Sequence, residues 1–188
     1  MSSNIKLPTI AILSGGYGKR LYPQIKNLPK SLIKINSEPF LYYQLKLLEK
    51  NKFKKVVICS GYKSNLIKKY INLKNNNFNL KIVITDDGNK NLGTGGAIKK
   101  TLHHLGKNFF VIFGDSFLDV EYKNIYKKFV NLKKRNLIVS HKFKKDYNKY
   151  SIQPELSVLN NKIIEYRNFK KKMSHIYYGI GVFNQSSF

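Results

Sequence analysis

The stretch Thr9-Ile-Ala-Ile-Leu-Ser-Gly-Gly-Tyr-Gly-Lys-Arg-Leu-Tyr-Pro23 decides the fold. Ile10 to Leu13 form an unbroken apolar run, the pattern of a strand buried on both faces of a parallel sheet. Gly15, Gly16 and Gly18 follow at once, a backbone free to take positive φ and to bring its N–H groups close to an anion. Arg20 and, past Pro29, Lys30 set two cations beside that loop. An amide-lined turn flanked by Arg and Lys, at the carboxyl end of a buried strand, suits a nucleoside triphosphate. The alternative is a glycine-rich turn with solvated basic neighbours.

Two common phosphate motifs are excluded. The dinucleotide fingerprint needs a third Gly where this chain has Leu21. Gly88 and Gly93 have the spacing of a P-loop, but Thr94 stands where its Lys belongs.

Outward from the loop, strands and helices alternate. Phe40 to Lys50 carries apolar residues at 41, 45 and 48, a helical stripe. Lys54 to Cys59 is a second buried strand, ended by Gly61. Leu66, Ile67, Tyr70 and Ile71 predict a short helix, with Ser64 placed to cap it. Asn75 to Asn77 is a loop and Leu80 to Ile84 a third strand. Ile98, Thr101, Leu102 and Leu105 stripe another helix, Phe109 to Phe113 is the most apolar strand, and Tyr122 to Phe129 is helical again. A strand at Leu137 to Val139 follows. This order predicts βαβ units, a parallel sheet and helices on both faces. Past residue 140, segments at Ser151–Gln153, Lys162–Tyr166 and Ile176–Phe183 predict antiparallel strands closing over one side of the sheet.

Composition sets the outer bounds. A length of 188 residues predicts one domain over 1–188, and 42% apolar content fits a globular chain. No apolar run approaches a membrane span and the N-terminus lacks a signal-peptide core, so a cytoplasmic protein without a membrane partner is expected. Cys59, the only cysteine, ends a Val-Val-Ile run and reads as a small core residue rather than a nucleophile. The formal charge of +25 would attract polyanions, yet only Arg20, Arg135 and Arg167 are arginines. The lysines are spread along the chain among many Asn and Ile residues, as an AT-rich coding sequence would produce. They form no aromatic-interleaved cluster, which argues against specific nucleic-acid binding.

Ligands of open parallel sheets collect at the carboxyl ends of the strands. There, Gly114-Asp115 directly follows Phe109-Phe-Val-Ile-Phe113. A carboxylate ending so apolar a strand needs compensation, and at the ligand edge its natural partner is Mg²⁺. A helix N-cap is the alternative, and Asp119 is a second ligand candidate better placed in a turn. The segment Asp86-Asp-Gly-Asn-Lys-Asn-Leu-Gly-Thr-Gly-Gly-Ala97 leads into the striped helix. Its glycines let backbone approach a flat base closely.

Together S-G-G-Y-G-K-R-L-Y-P, N-L-P-K, L-G-T-G-G-A-I and F-G-D-S-F-L-D-V resemble the sugar-phosphate nucleotidyltransferases from about Ile10 to Phe183. The last two are most similar to the branch acting on heptose and mannose 1-phosphates. The resemblance implies a three-layer, Rossmann-like α/β fold with a mostly parallel sheet and a small antiparallel addition. It also implies transfer of a nucleoside monophosphate from a triphosphate, GTP favoured, to a sugar 1-phosphate. Leu13, Gly15, Gly16 and Gly18 would then bind the nucleotide, with Arg20 and Lys30 as the catalytic cations on its phosphates. Asp87, Gly93, Thr94 and Gly95 would hold the base, Asp115 would ligate Mg²⁺, and Tyr150, Glu165 and Arg167 would bind the sugar phosphate. An incoming phosphate is already ionised, so neither nucleophile nor strong base is needed. That agrees with His103, His104, His141 and His175, which have no recognisable partner in sequence.

Several positions depart from the family's pattern. Lys19 replaces a common Thr, Ser14 a usual Ala, Tyr150-Ser151 a Tyr-Gly pair, Glu165-Tyr-Arg167 a Glu-Lys pair, and Tyr177-Tyr-Gly179 an Asn-Gly. The family's second metal-binding Asp, in a D-x-G-x-P context, has no counterpart before Phe188. Either the sequence is a fragment or the protein has lost part of its metal site; the 188 residues as given are expected to bind nucleotide, turn over poorly and tend to self-associate. The alternatives are a catalytically impaired binding protein on the same fold and, from another class, a basic nucleic-acid-associated protein.

Overall fold

The computed structural model describes residues 5–18, 27–88, 92–133, 136–150, 152–168 and 172–188. The chain divides into two compact units, residues 1–137 with 182–188, and residues 138–181.

The first unit begins with β1 (Ile10–Ser14) and a small hairpin of β2 (Lys34–Ile35) and β3 (Glu38–Pro39). It continues through α1 (Phe40–Lys50), β4 (Lys55–Ser60), α2 (Ser64–Lys74), β5 (Lys81–Asp86), α3 (Gly93–Leu105), β6 (Asn108–Phe113) and α4 (Tyr122–Asn131). The parallel core has the strand order β5-β4-β1-β6, with Ile10 of β1 beside both Val56 and Phe110. The expected α/β class and parallel core are what the chain adopts.

Alternation of side chains explains why these strands are apolar throughout. Ala11, Val57, Cys59, Phe109 and Val111 share one core with Ala97, Ile98 and Leu105 of α3. Their neighbours Ile10, Ile12, Val56, Ile58 and Phe110 are buried on the other face. There Phe110 meets Phe53 and Tyr122 edge to face, with ring centroids 5.5 and 5.7 Å away. Phe53 reaches that cluster because α1 ends in a Schellman motif: Lys52 is left-handed (φ 68°), and its N–H and that of Phe53 donate to Glu49 and Leu48 carbonyls. The connections β1→β4→β5 step one way across the sheet, and the α3 crossover returns past β4 and β1 to β6. Right-handed crossovers therefore set α3 on the face opposite α1 and α2. The order reverses between β1 and β6, and that switch point positions the site.

In the second unit, β8 (Leu156–Leu159) and β9 (Lys162–Tyr166) form a hairpin whose two turn residues, Asn160 and Asn161, both have positive φ (48° and 56°). Such a primed turn matches the twist of the strands, and Asn tolerates it. β10 (His175–Asn184) pairs antiparallel with β8 and has β7 (Asn136–Lys142) as a further neighbour. Within the first unit, the Gln185 N–H donates to the Lys107 carbonyl at 2.8 Å, and the Phe188 ring lies 5.9 Å from that of Phe109.

Two local expectations are corrected. No strand covers Ser151–Gln153: Lys145–Tyr150 is a 3₁₀ turn, Ile152 and Gln153 are irregular, and Ser151 lies outside the described residues. The apolar residue that seeds the strand is Leu156, 1% exposed, not Ile152 at 38%. Ser64 does not cap α2. The N-cap is Lys63 in left-handed conformation, and the buried Ser64 hydroxyl pairs with that of Ser60 at 2.7 Å, tying helix to strand. Among the described residues no helix is long and apolar enough to cross a membrane.

Candidate nucleotide-binding cleft

A cleft of about 380 Å³ opens at the carboxyl edge of the parallel sheet in the first unit. Its walls come from five places far apart in sequence: Leu13 to Gly18, Lys30-Ser31, Cys59, Asp87 with the start of α3, and Phe113-Gly114-Asp115. Leu13, Gly15, Gly16, Gly18, Lys30, Asp87, Gly93, Thr94 and Asp115 are all on that lining. Gly95, inside the first turn of α3, is not. Arg20 lies outside the described residues.

The glycine loop is shaped by close approach. The Gly15 carbonyl accepts the Tyr62 N–H at 3.3 Å, and a Cβ on Gly61 would stand 3.0 Å from that same oxygen. Gly61 thus lets the end of β4 brace the loop after β1. Gly18 holds φ 63°, a left-handed residue that favours glycine. Among the described residues nothing crowds Gly16, so its backbone is a part of the loop an anion can approach.

Lys30 arrives on a 3₁₀ turn, Lys30–Leu32, closed by the Leu32 N–H on the Pro29 carbonyl at 2.8 Å. That turn is pinned to β1 by the buried Ser14 hydroxyl, which donates to Ser31 Oγ at 2.8 Å. The unusual Ser14 therefore has a structural partner. Lys30 Nζ donates in turn to Asp115 Oδ2 at 2.7 Å. Hence the charge of Asp115 is compensated within the protein by a lysine 85 residues away. The N-cap alternative for Asp115 is not realised, because α4 begins only after Glu121. Asp119 is exposed in the intervening irregular segment.

The donor set fits Mg²⁺ of a particular kind. Among the described residues no three His, Cys, Asp or Glu side chains gather, so Asp115 would act as a single protein carboxylate. Mg²⁺ accepts that arrangement when substrate phosphates and water supply the remaining oxygens. The Asp115 side chain is 42% exposed, open to such a ligand.

Two adjacent carboxylates behave oppositely. Asp86 is pulled down to about 2, first by the hydrogen bond from Lys68 and also by the Gly88 N–H. Burial pushes the Asp87 carboxyl up from its ordinary value, and its Oδ1 has no hydrogen-bond partner among the described residues. Burial also lifts the Cys59 thiol to about 11, which keeps it protonated and unreactive, as its core position predicted.

The three other predicted residues lie in the second unit. Arg167 donates through Nε to Glu155 Oε2 at 2.8 Å. Glu165 accepts from Asn168 Nδ2 at 3.2 Å, and Tyr150 is exposed beneath the Lys149 ammonium. Sequence reasoning missed Ser31, Gly61 and Gln44, whose amide reaches the Asp115 turn. A Gly facing another Gly across two loops leaves no periodic signal.

A mixed sheet with a parallel core and its crevice at the switch point defines an α/β protein of the ligand-binding kind. The chain belongs to the nucleotidyl transferase family, whose pattern it matches over residues 10–151. It is 34% identical to the D-glycero-alpha-D-manno-heptose 1-phosphate guanylyltransferase of Campylobacter jejuni, over 74% of this chain and 59% of that protein. The enzyme of the same name from Aneurinibacillus thermoaerophilus is 31% identical, again over 74% of this chain and 59% of the relative. The chain thus spans little more than half the length of these relatives. The crystal structure of HddC from Yersinia pseudotuberculosis complexed with GMP-PN superposes with a TM-score of 0.77 at 25% identity, covering 96% of this chain and 78% of that one.

Proposed function

We propose that this chain serves a Mg²⁺-dependent transfer of a nucleoside monophosphate from GTP to a heptose- or mannose-type sugar 1-phosphate, releasing pyrophosphate. The product would feed surface polysaccharide or glycoconjugate synthesis in the cytoplasm. One observation carries the reading: the glycine loop, Lys30 and Asp115, separate in sequence, line a single cleft at the switch point. The names of the two guanylyltransferase relatives and the GMP-PN complex support it.

In this reading Gly15, Gly16 and Gly18 present amides to the triphosphate, and Lys30 with Arg20 neutralises its oxygens. Bound Mg²⁺ would supply further charge neutralisation, with Asp115 as its protein ligand. Lys30 and Asp115 stand side by side, so the amine suits phosphate and the carboxylate suits the metal. The sugar-phosphate oxygen forms a bond to the α-phosphorus, and the bond from that phosphorus to the pyrophosphate oxygen breaks. Positioning and charge neutralisation suffice for this exchange. Leu13, Thr94 and the Gly93–Gly95 turn would contact the nucleoside. Asp87 favours guanine in particular, since a buried acceptor without a partner among the described residues suits the N1–H and N2–H donors that guanine alone presents together. Tyr150, Glu165 and Arg167 would hold the sugar phosphate.

Calorimetry on this chain with GTP, ATP, CTP and UTP, with and without Mg²⁺, tests the reading, beside pyrophosphate release with hexose and heptose 1-phosphates. GTP should bind most tightly, more so with Mg²⁺, and Asp115→Asn should fold yet lose the metal-dependent gain. Folded protein that binds no nucleotide would sink the proposal.

A further inference from the structure

Gln44 sits in the second turn of α1, 1% exposed, among the buried Leu41, Leu45, Leu47 and Leu48. A primary amide in such a place is costly unless its polar atoms are paired. Its Nε2 donates to two main-chain carbonyls, those of Phe113 and Ser116, each at 2.9 Å. These two carbonyls bracket Gly114-Asp115. Because both N–H bonds are spent on that turn, Oε1 is left buried with no partner among the described residues. Buried polar atoms are rarely left so, and the two acceptors fix which way the amide faces.

Besides Gln44, the turn and the segment after it are held by Lys30 on Asp115 from the cleft side and by Tyr122 Oη, which donates to the Leu118 carbonyl at 3.0 Å. Residues 116–121 have no regular secondary structure, so no ladder or helix continues from β6. On the opposite side the Gly114 N–H donates to the Leu13 carbonyl at 2.8 Å, with no room for a Cβ, and the Ser116 N–H reaches the Phe113 carbonyl at 3.2 Å. Only a side chain that ends in two N–H donors without a charge can bind both carbonyls from inside the core. Glu lacks the second donor, and Lys or Arg would bury a cation.

We propose that Gln44 is a positioning residue: from within α1 it fixes the turn that presents the Asp115 carboxylate to the cleft. The proposal rests on the reading that Asp115 holds Mg²⁺ together with a bound triphosphate. Gln44 touches neither; it sets the place from which Asp115 reaches.

The test is GTP affinity by calorimetry without and with saturating Mg²⁺, the ratio being the metal-dependent gain. It is measured for the full chain, Gln44→Met, Asp115→Asn and the double variant, with folding checked by circular dichroism. Gln44→Met should keep the metal-free affinity and lose about 10- to 100-fold of the gain, the scale seen when a group orienting a metal ligand is removed. In the Asp115→Asn background it should change the gain no further. A full gain in Gln44→Met, with the gain lost in Asp115→Asn, would overturn the role of Gln44 and leave the proposed function standing. A full gain in Asp115→Asn would overturn the metal reading itself. Equal loss of metal-free affinity in Gln44→Met would make the amide a general prop and overturn positioning. Should Gln44→Met not fold, Gln44→Asn, a neutral amide one methylene too short to reach both carbonyls, decides: loss of the gain supports the proposal and an unchanged gain overturns it.

Discussion

Asp87 shows how one side chain can set stability against binding. Its carboxyl is raised above the usual aspartate value of 3.8, chiefly by burial, with Lys100 opposing the rise and Asp86 adding to it. A raised acid favours the fold in its protonated form. That contribution is fully present below 3.8 and is lost as pH rises through the folded value, so at neutral pH the ionised group costs stability. Asp87→Asn should therefore melt higher than the parent at pH 7, with the gap closing as pH falls through the folded value towards 3.8. It should also bind GTP more weakly. Thermal melts across pH, with GTP titrations at pH 7, check both. Asp86 has the opposite sign: its pKa of about 2 gives stability above 3.8 that is lost as pH falls towards 2. The pair is adjacent in sequence, and burial on one side with Lys68 and the Gly88 N–H on the other tell the two apart.

The loops after β1 and β6 each carry glycines, but for different reasons. A Cβ on Gly114 would stand 2.8 Å from the Leu13 carbonyl oxygen and 3.1 Å from Ser14, so backbone must shift. Gly114→Ala should cost about 1–3 kcal/mol, as overpacking does, read from urea unfolding. A Cβ on Gly16 would meet nothing within 4 Å among the described residues. Gly16→Ala should leave unfolding within about 0.5 kcal/mol of the parent while weakening triphosphate binding, because the added methyl points where an anion would approach. Equal destabilisation by both substitutions would contradict this division. The elements framing these loops were legible from apolar runs and helical stripes. The β2–β3 hairpin was not, since two strands of two residues each carry no period.

The whole molecule carries +25 at neutral pH, with 35 basic and 10 acidic residues. Five ion pairs among the described residues use several of those few acids: Lys30–Asp115, Lys46–Glu49, Lys68–Asp86, Lys74–Glu38 and Arg167–Glu155. Self-repulsion of the remaining cations opposes compactness and is screened by salt. The melting temperature should therefore rise as sodium chloride increases from about 0.01 M, where charges interact over some 30 Å, to about 0.15 M, where they interact over about 8 Å. A melting temperature that falls over this range would show that the surface pairs outweigh the repulsion.

The sequence by itself determined the parallel core, the four helices of the first unit, the glycine loop and the place of Asp115 just past the end of β6. Each of these is written in contiguous residues: an apolar run buries a strand on both faces, a stripe makes a helix, and glycines mark a close or left-handed backbone. Tertiary structure alone decided what meets at the edge. Lys30 on Asp115, Ser14 on Ser31, Gly61 against Gly15 and Gln44 beneath the Asp115 turn all join loops that neighbour no one another in sequence. Their meeting follows from crossover order, which brings the ends of β1, β4 and β6 to one edge of the sheet. No local pattern encodes which side chain of one loop will face which atom of the next.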